Sequence, residues 1–112
     1  MMLLPRKLAI TQGKETKFLF VQDVLYCSSD SNYSIMFLTN EKPIHIHKSL
    51  KDITTVLPES LFFRIHHRYI INVCFVVKFI ESDKDFVIMT DGTELPVSRR
   101  RKNDFLNMFL RL

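Results

Sequence analysis

Two stretches gather the side chains that could do chemistry on a polyanion. The first is Phe62-Phe63-Arg64-Ile65-His66-His67-Arg68-Tyr69-Ile70-Ile71-Asn72, and the second is Leu95-Pro96-Val97-Ser98-Arg99-Arg100-Arg101-Lys102. No carboxylate falls between Phe62 and Asn72, or between Pro96 and Asn103. A guanidinium offers a planar fork to phosphate or to guanine O6/N7, and an imidazole offers a ring nitrogen to a base edge or a phosphate. Ile65 and Ile70 must point inward, so polar residues between them must point outward. Cations held on such a rigid base lose less conformational entropy on binding than cations on a floppy tail. A fold that brings the two stretches together presents one basic ridge, the electrostatic footprint of a nucleic-acid binder.

Other chemistries fare worse. His45, His47, His66 and His67 invite a metal, because residues i and i+2 of a strand share a face. Yet carboxylate partners are not at ligand spacing, and His45 and His47 alternate with Ile44 and Ile46 as solvent-side residues. There is no nucleophile elbow and no Gly-rich phosphate loop, with two Gly in the whole chain. No carboxylate pair sits in an apolar setting that would raise one pKa. Neither an enzyme, a cofactor nor a metal is expected.

The elements that must position these residues are bounded by length and composition. The chain has 112 residues, 46% of them hydrophobic, with ten Phe and no Trp. One domain over residues 1–112, with its core over about 7–110, is the expected organisation. No apolar run nears the ~18–20 residues of a membrane span. The start, Met1 to Lys7, lacks the apolar core of a secretory signal. A soluble, cytoplasmic protein with no membrane partner is therefore expected. Cys27 and Cys74 lie far apart in apolar stretches and read as reduced and buried. The net charge of +4 says little by itself. Its segregation says more: Glu81, Asp83, Asp85, Asp91 and Glu94 fall in turn-like pieces, away from the arginines.

Short β-rich runs fill the chain as far as Val97. Lys7–Thr11, Lys17–Phe20, Val24–Cys27, Tyr33–Thr39, Pro43–His47, Phe75–Ile80, Phe86–Thr90 and Thr93–Val97 read as strands. The residues from Ser28 to Asn32 read as a turn, and Asp91-Gly92 is the strongest hairpin signal. Ser49 is an N-cap for a short helix that buries Leu50, Ile53 and Leu57 and stops at Pro58. A closing helix is expected from Ser98, burying Phe105, Met108, Phe109 and Leu112 at i, i+3, i+4 and i+7. The fold class is mainly β: an antiparallel multi-strand domain with one short internal helix and a C-terminal helix.

Four motifs in this order resemble the LytTR family, the bacterial DNA-binding domains of LytR/AgrA-type response regulators. They are Val24-Leu25-Tyr26 with Ser31-Asn32-Tyr33-Ser34, then Lys48-Ser49-Leu50, then Phe63 to Asn72, then Leu95-Pro96-Val97-Ser98-Arg99-Arg100. The resemblance covers about Lys7 to Leu110. It implies an elongated β fold that inserts loops, not a recognition helix, into successive major grooves of double-stranded DNA. It also implies two copies on a repeated site, DNA bending, and transcription regulation in a two-component setting, with a receiver domain possible outside this chain. Carried over by motif, Tyr33, His67 and Arg100 are the discriminating positions, while Arg68, Arg99, Arg101 and Lys102 would contact phosphate. His67-Arg68 stands where many members have Arg-Ser, a departure that would shift base preference or add a phosphate contact. Two other classes remain: a basic β-module binding an acidic protein, and a single-stranded RNA binder, which would need aromatics exposed on a sheet face.

Overall fold

The computed structural model describes residues 6–112, and the chain start read above for a signal peptide lies largely outside them. Strands β1 (Lys7–Gln12) and β2 (Glu15–Phe20) form a hairpin. Gly13 makes its turn at φ 64°, in the left-handed region, where a Cβ would meet no atom but would strain the backbone. A five-stranded antiparallel sheet follows, in the order β5-β4-β3-β7-β6. Its strands are β3 (Val24–Asp30), β4 (Tyr33–Leu38), β5 (Ile44–Ile46), β6 (Phe62–His66) and β7 (Tyr69–Asn72). Helix α1 (Leu50–Val56) connects β5 to β6, with Ser49 Oγ accepting the Asp52 N–H at 3.2 Å as its cap. A second sheet, ordered β10-β9-β8, contains β8 (Val76–Ile80), β9 (Phe86–Met89) and β10 (Glu94–Pro96). Pro96 lies on an outer strand of that sheet, where a missing N–H is tolerated. Helix α2 (Lys102–Leu106) closes the chain.

The five-stranded sheet is the middle layer, with a core on each face. Val24, Cys27, Met36, Leu38, Phe62 and Ile70 pack with Ile10 and Leu19 of the hairpin and with Leu50, Ile53 and Leu57. Leu25, Tyr26, Ile65 and Ile71 pack on the other side with Val87, Met89, Leu95, Val97 and Phe105. Strands covered on both faces read as continuous apolar runs, which is why Val24–Cys27 and Tyr69–Ile71 show no clean alternation. A register shift between Val24 and Tyr26 sends Leu25 and Tyr26 to the same core. Asn72 is buried but satisfied: its Nδ2 donates to Val24 O at 2.9 Å, and its Oδ1 accepts the Cys74 N–H at 3.0 Å.

Three expectations need correction. β3 runs through Ser28–Asp30, leaving only Ser31-Asn32 as the turn. Ser28 pairs with both Ile35 and Tyr69, and two ladders of hydrogen bonds outweigh the weak strand preference of Ser and Asp. The closing helix ends at Leu106. Phe105 is buried and Phe109 meets its ring at 5.2 Å, but Leu112, without a helix to carry it round, stands in solvent. Cys74 is exposed, because it lies in the 3₁₀ turn Val73–Phe75 and not in a strand; Cys27 is buried, and both are free thiols.

Candidate nucleic-acid interface

Register places one end of the middle sheet as the meeting point of the singled-out residues. Asp30 pairs with Tyr33 across the β3–β4 turn, and Ser28 pairs with Tyr69 at the start of β7. The β6–β7 turn, His67-Arg68, therefore lies beside the β3–β4 turn, and the Ser29 N–H donates to Arg68 O at 2.9 Å. β5 ends here too, since Ser34 pairs with Ile46 and its buried Oγ donates to Lys48 O at 2.7 Å. Tyr33, 47% exposed, stands on this rim with its ring 4.6 Å from that of His47. At ~4.8 Å per strand, the β4 and β6 ends of the rim lie roughly 14 Å apart.

The second basic stretch docks onto the first. The Ser98 N–H donates to Ile65 O at 2.8 Å, and Arg101 Nη1 donates to Arg64 O at 3.3 Å. The 3₁₀ turn Arg99–Arg101 thus continues the rim past β6. Arg99 and Arg100 are exposed, as are His67 and Arg68. Arg101 and Lys102 are half-buried and partly engaged: Lys102 Nζ lies 3.2 Å from Glu81 and 3.8 Å from Asp85. Ser98 Oγ is buried without a partner among the described residues.

Within the β6–β7 turn the cations divide their work. Arg64 turns back on its own strand end, donating from Nη2 to His67 O and from Nε to His66 O at 3.4 Å. Partial burial, and Arg101 nearby, lower the Arg64 pKa. His66 Nδ1 accepts the Arg68 N–H at 3.2 Å, which requires a ring nitrogen without a proton. Desolvation first, then His67, Arg68, Arg101 and Arg64, lower the His66 pKa, so the neutral ring is favoured at pH 7. Its ring lies 4.3 Å from that of His67 and 5.9 Å from Tyr69. Among the described residues, no three His, Cys, Asp or Glu side chains are grouped to hold a metal ion.

Sequence reasoning singled out Tyr33, His67, Arg68 and Arg99 to Lys102, and these all lie on or beside the rim. It passed over the His47 ring against Tyr33, the carbonyl partners of Arg64 and the carboxylates on Lys102. Only the Arg64 contact was within local reach, two and three residues along the chain. The other two join elements distant in sequence.

A flat β domain with a basic rim at the end of its middle sheet defines a class of nucleic-acid-binding β modules. The LytTr DNA-binding domain family matches residues 14–110, and the chain belongs to that family. The sensory transduction protein LytT of Bacillus subtilis is 26% identical over 96 residues, 83% of this chain and 39% of that protein. The heme-containing CO-sensing transcriptional regulator RcoM 2 of Paraburkholderia xenovorans is 22% identical over 98 residues, 85% of this chain and 36% of that protein. The chain therefore spans well under half the length of these relatives. A solved LytTr DNA-binding domain of a response regulator from Bacillus cereus superposes with a TM-score of 0.76 at 18% identity, covering 91% of this chain and 94% of that one. That likeness establishes the mainly antiparallel β fold with two short helices. Among the described residues, no helix is long and apolar enough to cross a membrane.

Proposed function

We propose that the chain binds specific double-stranded DNA sites in bacterial transcription regulation and reads them with the turns at the rim of its middle sheet. The observation that carries this reading is the Ser98 N–H to Ile65 O hydrogen bond of 2.8 Å, which fuses two carboxylate-free basic stretches into one surface. Exposed Tyr33, His67 and Arg100 supply base discrimination, with Arg100 offering a bidentate fork. Arg68 and Arg99 contact phosphate directly, and Arg101 and Lys102 add to them from the flank. The molecule measures 46 × 42 × 24 Å. Its broad face is longer than the ~34 Å of one DNA helical turn, so the domain can lie along a duplex across successive major grooves, while the Tyr33 and His67 turns share one stretch of rim. Two copies on a repeated site, with bending between them, fit a flat protein that reads from one rim. A receiver or sensor domain would belong to chain beyond this one, in the cytoplasm.

Selection from a random duplex pool, followed by a salt series on the selected site, tests the reading. Each phosphate neutralised contributes about −0.9 to the slope of log K against log salt, so four contacts give a slope near −3.6. No enriched motif, together with a flat salt dependence, would return the rim to an acidic protein partner. A preference for single strands would favour RNA, but both faces of the middle sheet are covered by core residues, leaving no stacking platform there.

A further inference from the structure

The β8–β9 turn carries Glu81, Asp83 and Asp85 against a single cation, Lys84, and it faces the basic rim. Its position is fixed: the Ser82 N–H donates to Asp85 Oδ1 at 3.2 Å, and the Val97 N–H donates to Asp85 O at 3.0 Å, tying the turn to the strand that leads into Ser98. His66, Glu81, Asp85, Arg99 and Lys102 line one open cleft between turn and rim. Within it Lys102 sits between Glu81 Oε1 at 3.2 Å and Asp85 Oδ2 at 3.8 Å, with its ammonium 5.8 Å from the Phe79 ring centroid. The Lys102 side chain is 27% exposed, whereas Arg99 and Arg100 are exposed.

From this clamp we infer that Glu81 and Asp85 limit the affinity of the DNA-binding rim by competing with backbone phosphate for Lys102. The inference rests on the DNA-binding reading. A phosphate that reaches Lys102 must displace two carboxylates or approach within a few ångströms of them, well inside the ~8 Å Debye length at physiological salt. Arg99 and Arg100, exposed and without an ion pair among the described residues, need displace no carboxylate. Counter-charge of this kind lowers binding to every duplex, because it acts on the phosphate backbone and not on a base.

The test is a double-mutant cycle on a random-sequence duplex at fixed salt, using Glu81→Gln and Lys102→Gln. Glu81 is the better probe because its side chain is 65% exposed and has no partner besides Lys102 among the described residues. Glu81→Gln is expected to tighten binding roughly two- to fivefold, the range set by exposed ion pairs. The same substitution in a Lys102→Gln background is expected to change nothing. Thermal melting of each variant checks that folding is intact, and Asp85→Asn, which keeps an oxygen for the Ser82 N–H, repeats the measurement independently. The proposal is overturned if Glu81→Gln leaves affinity unchanged, or if it tightens binding equally without Lys102. Failure of the wild-type chain to bind duplex DNA at all would instead remove the parent reading.

Discussion

Arg64 and Arg100 belong to one basic surface, but the fold treats them in opposite ways. Arg64 folds its guanidinium inward over the β6–β7 turn and spends donors on the carbonyls of His66 and His67. Arg100 stands in a 3₁₀ turn that is held by backbone and by Ile65, and its own side chain remains exposed. One arginine builds the surface and the other is presented by it. Equal charge in a sequence therefore does not mean equal availability: backbone carbonyls hold Arg64, carboxylates hold Lys102, and neither kind of partner holds Arg100 among the described residues.

The largest effect should come from removing the base on which both regions rest. Ile65 is fully buried, and its carbonyl accepts the Ser98 N–H. Ile65→Ala is expected to cost ~2–5 kcal/mol of stability by denaturant unfolding, the usual range for a truncated core aliphatic. A loss below ~1 kcal/mol would mean that the two basic regions are supported separately. Next, Arg100→Ala should weaken binding to the selected site by ~1–3 kcal/mol and relax one base position, with stability unchanged. Equal losses on selected and random DNA would reduce Arg100 to a phosphate contact. Arg64→Ala comes third. It strips a charged donor from two carbonyls at a partly exposed site, so ~1 kcal/mol of stability is expected after allowing for solvent. Unchanged stability with lost affinity would reverse the assignment and make Arg64 a presented residue.

The smallest effect is a pH dependence. The folded state lowers the His66 pKa below its ordinary value, so below pH ~6.5 the unfolded chain binds the proton more readily than the folded one. The contribution of His66 is thus fully present above that pH and declines as pH falls toward the depressed folded pKa. A His66→Gln variant should flatten this slope between pH 7 and pH 5. An unchanged slope would locate the titration elsewhere.

The local signals in the sequence were read at their true positions. Ser49 caps α1, Leu50, Ile53 and Leu57 share its buried face, and Gly92 turns the β9–β10 hairpin at φ 87°, with Asp91 Oδ1 accepting the Thr93 N–H at 2.9 Å. What misled was local preference opposed by tertiary pairing. Ser28-Ser29-Asp30 has turn composition, but it lies between two strands that saturate its backbone. The apolar spacing from Phe105 to Leu112 suits a helix, but α2 ends at Leu106 and the chain tightens into i to i+3 turns, the Met108 N–H donating to Phe105 O at 3.1 Å and the Phe109 N–H to Leu106 O at 3.3 Å. For the site, adjacency in sequence revealed which residues are cationic, and the Ser98 to Ile65 hydrogen bond decides that they share a surface. The Lys102 clamp joins residues 17 and 21 positions apart in the numbering, with no periodicity to announce it.

The two thiols make the molecule its own unfolding gauge. Burial pushes the Cys27 thiol up to about 12, on a strand paired on both sides, while Cys74 lies at the surface. An alkylating reagent consumes thiolate, so Cys74 is modified in the native state and Cys27 only when β3 separates from its neighbours. The second labelling rate therefore reports opening of the middle layer, with no added probe.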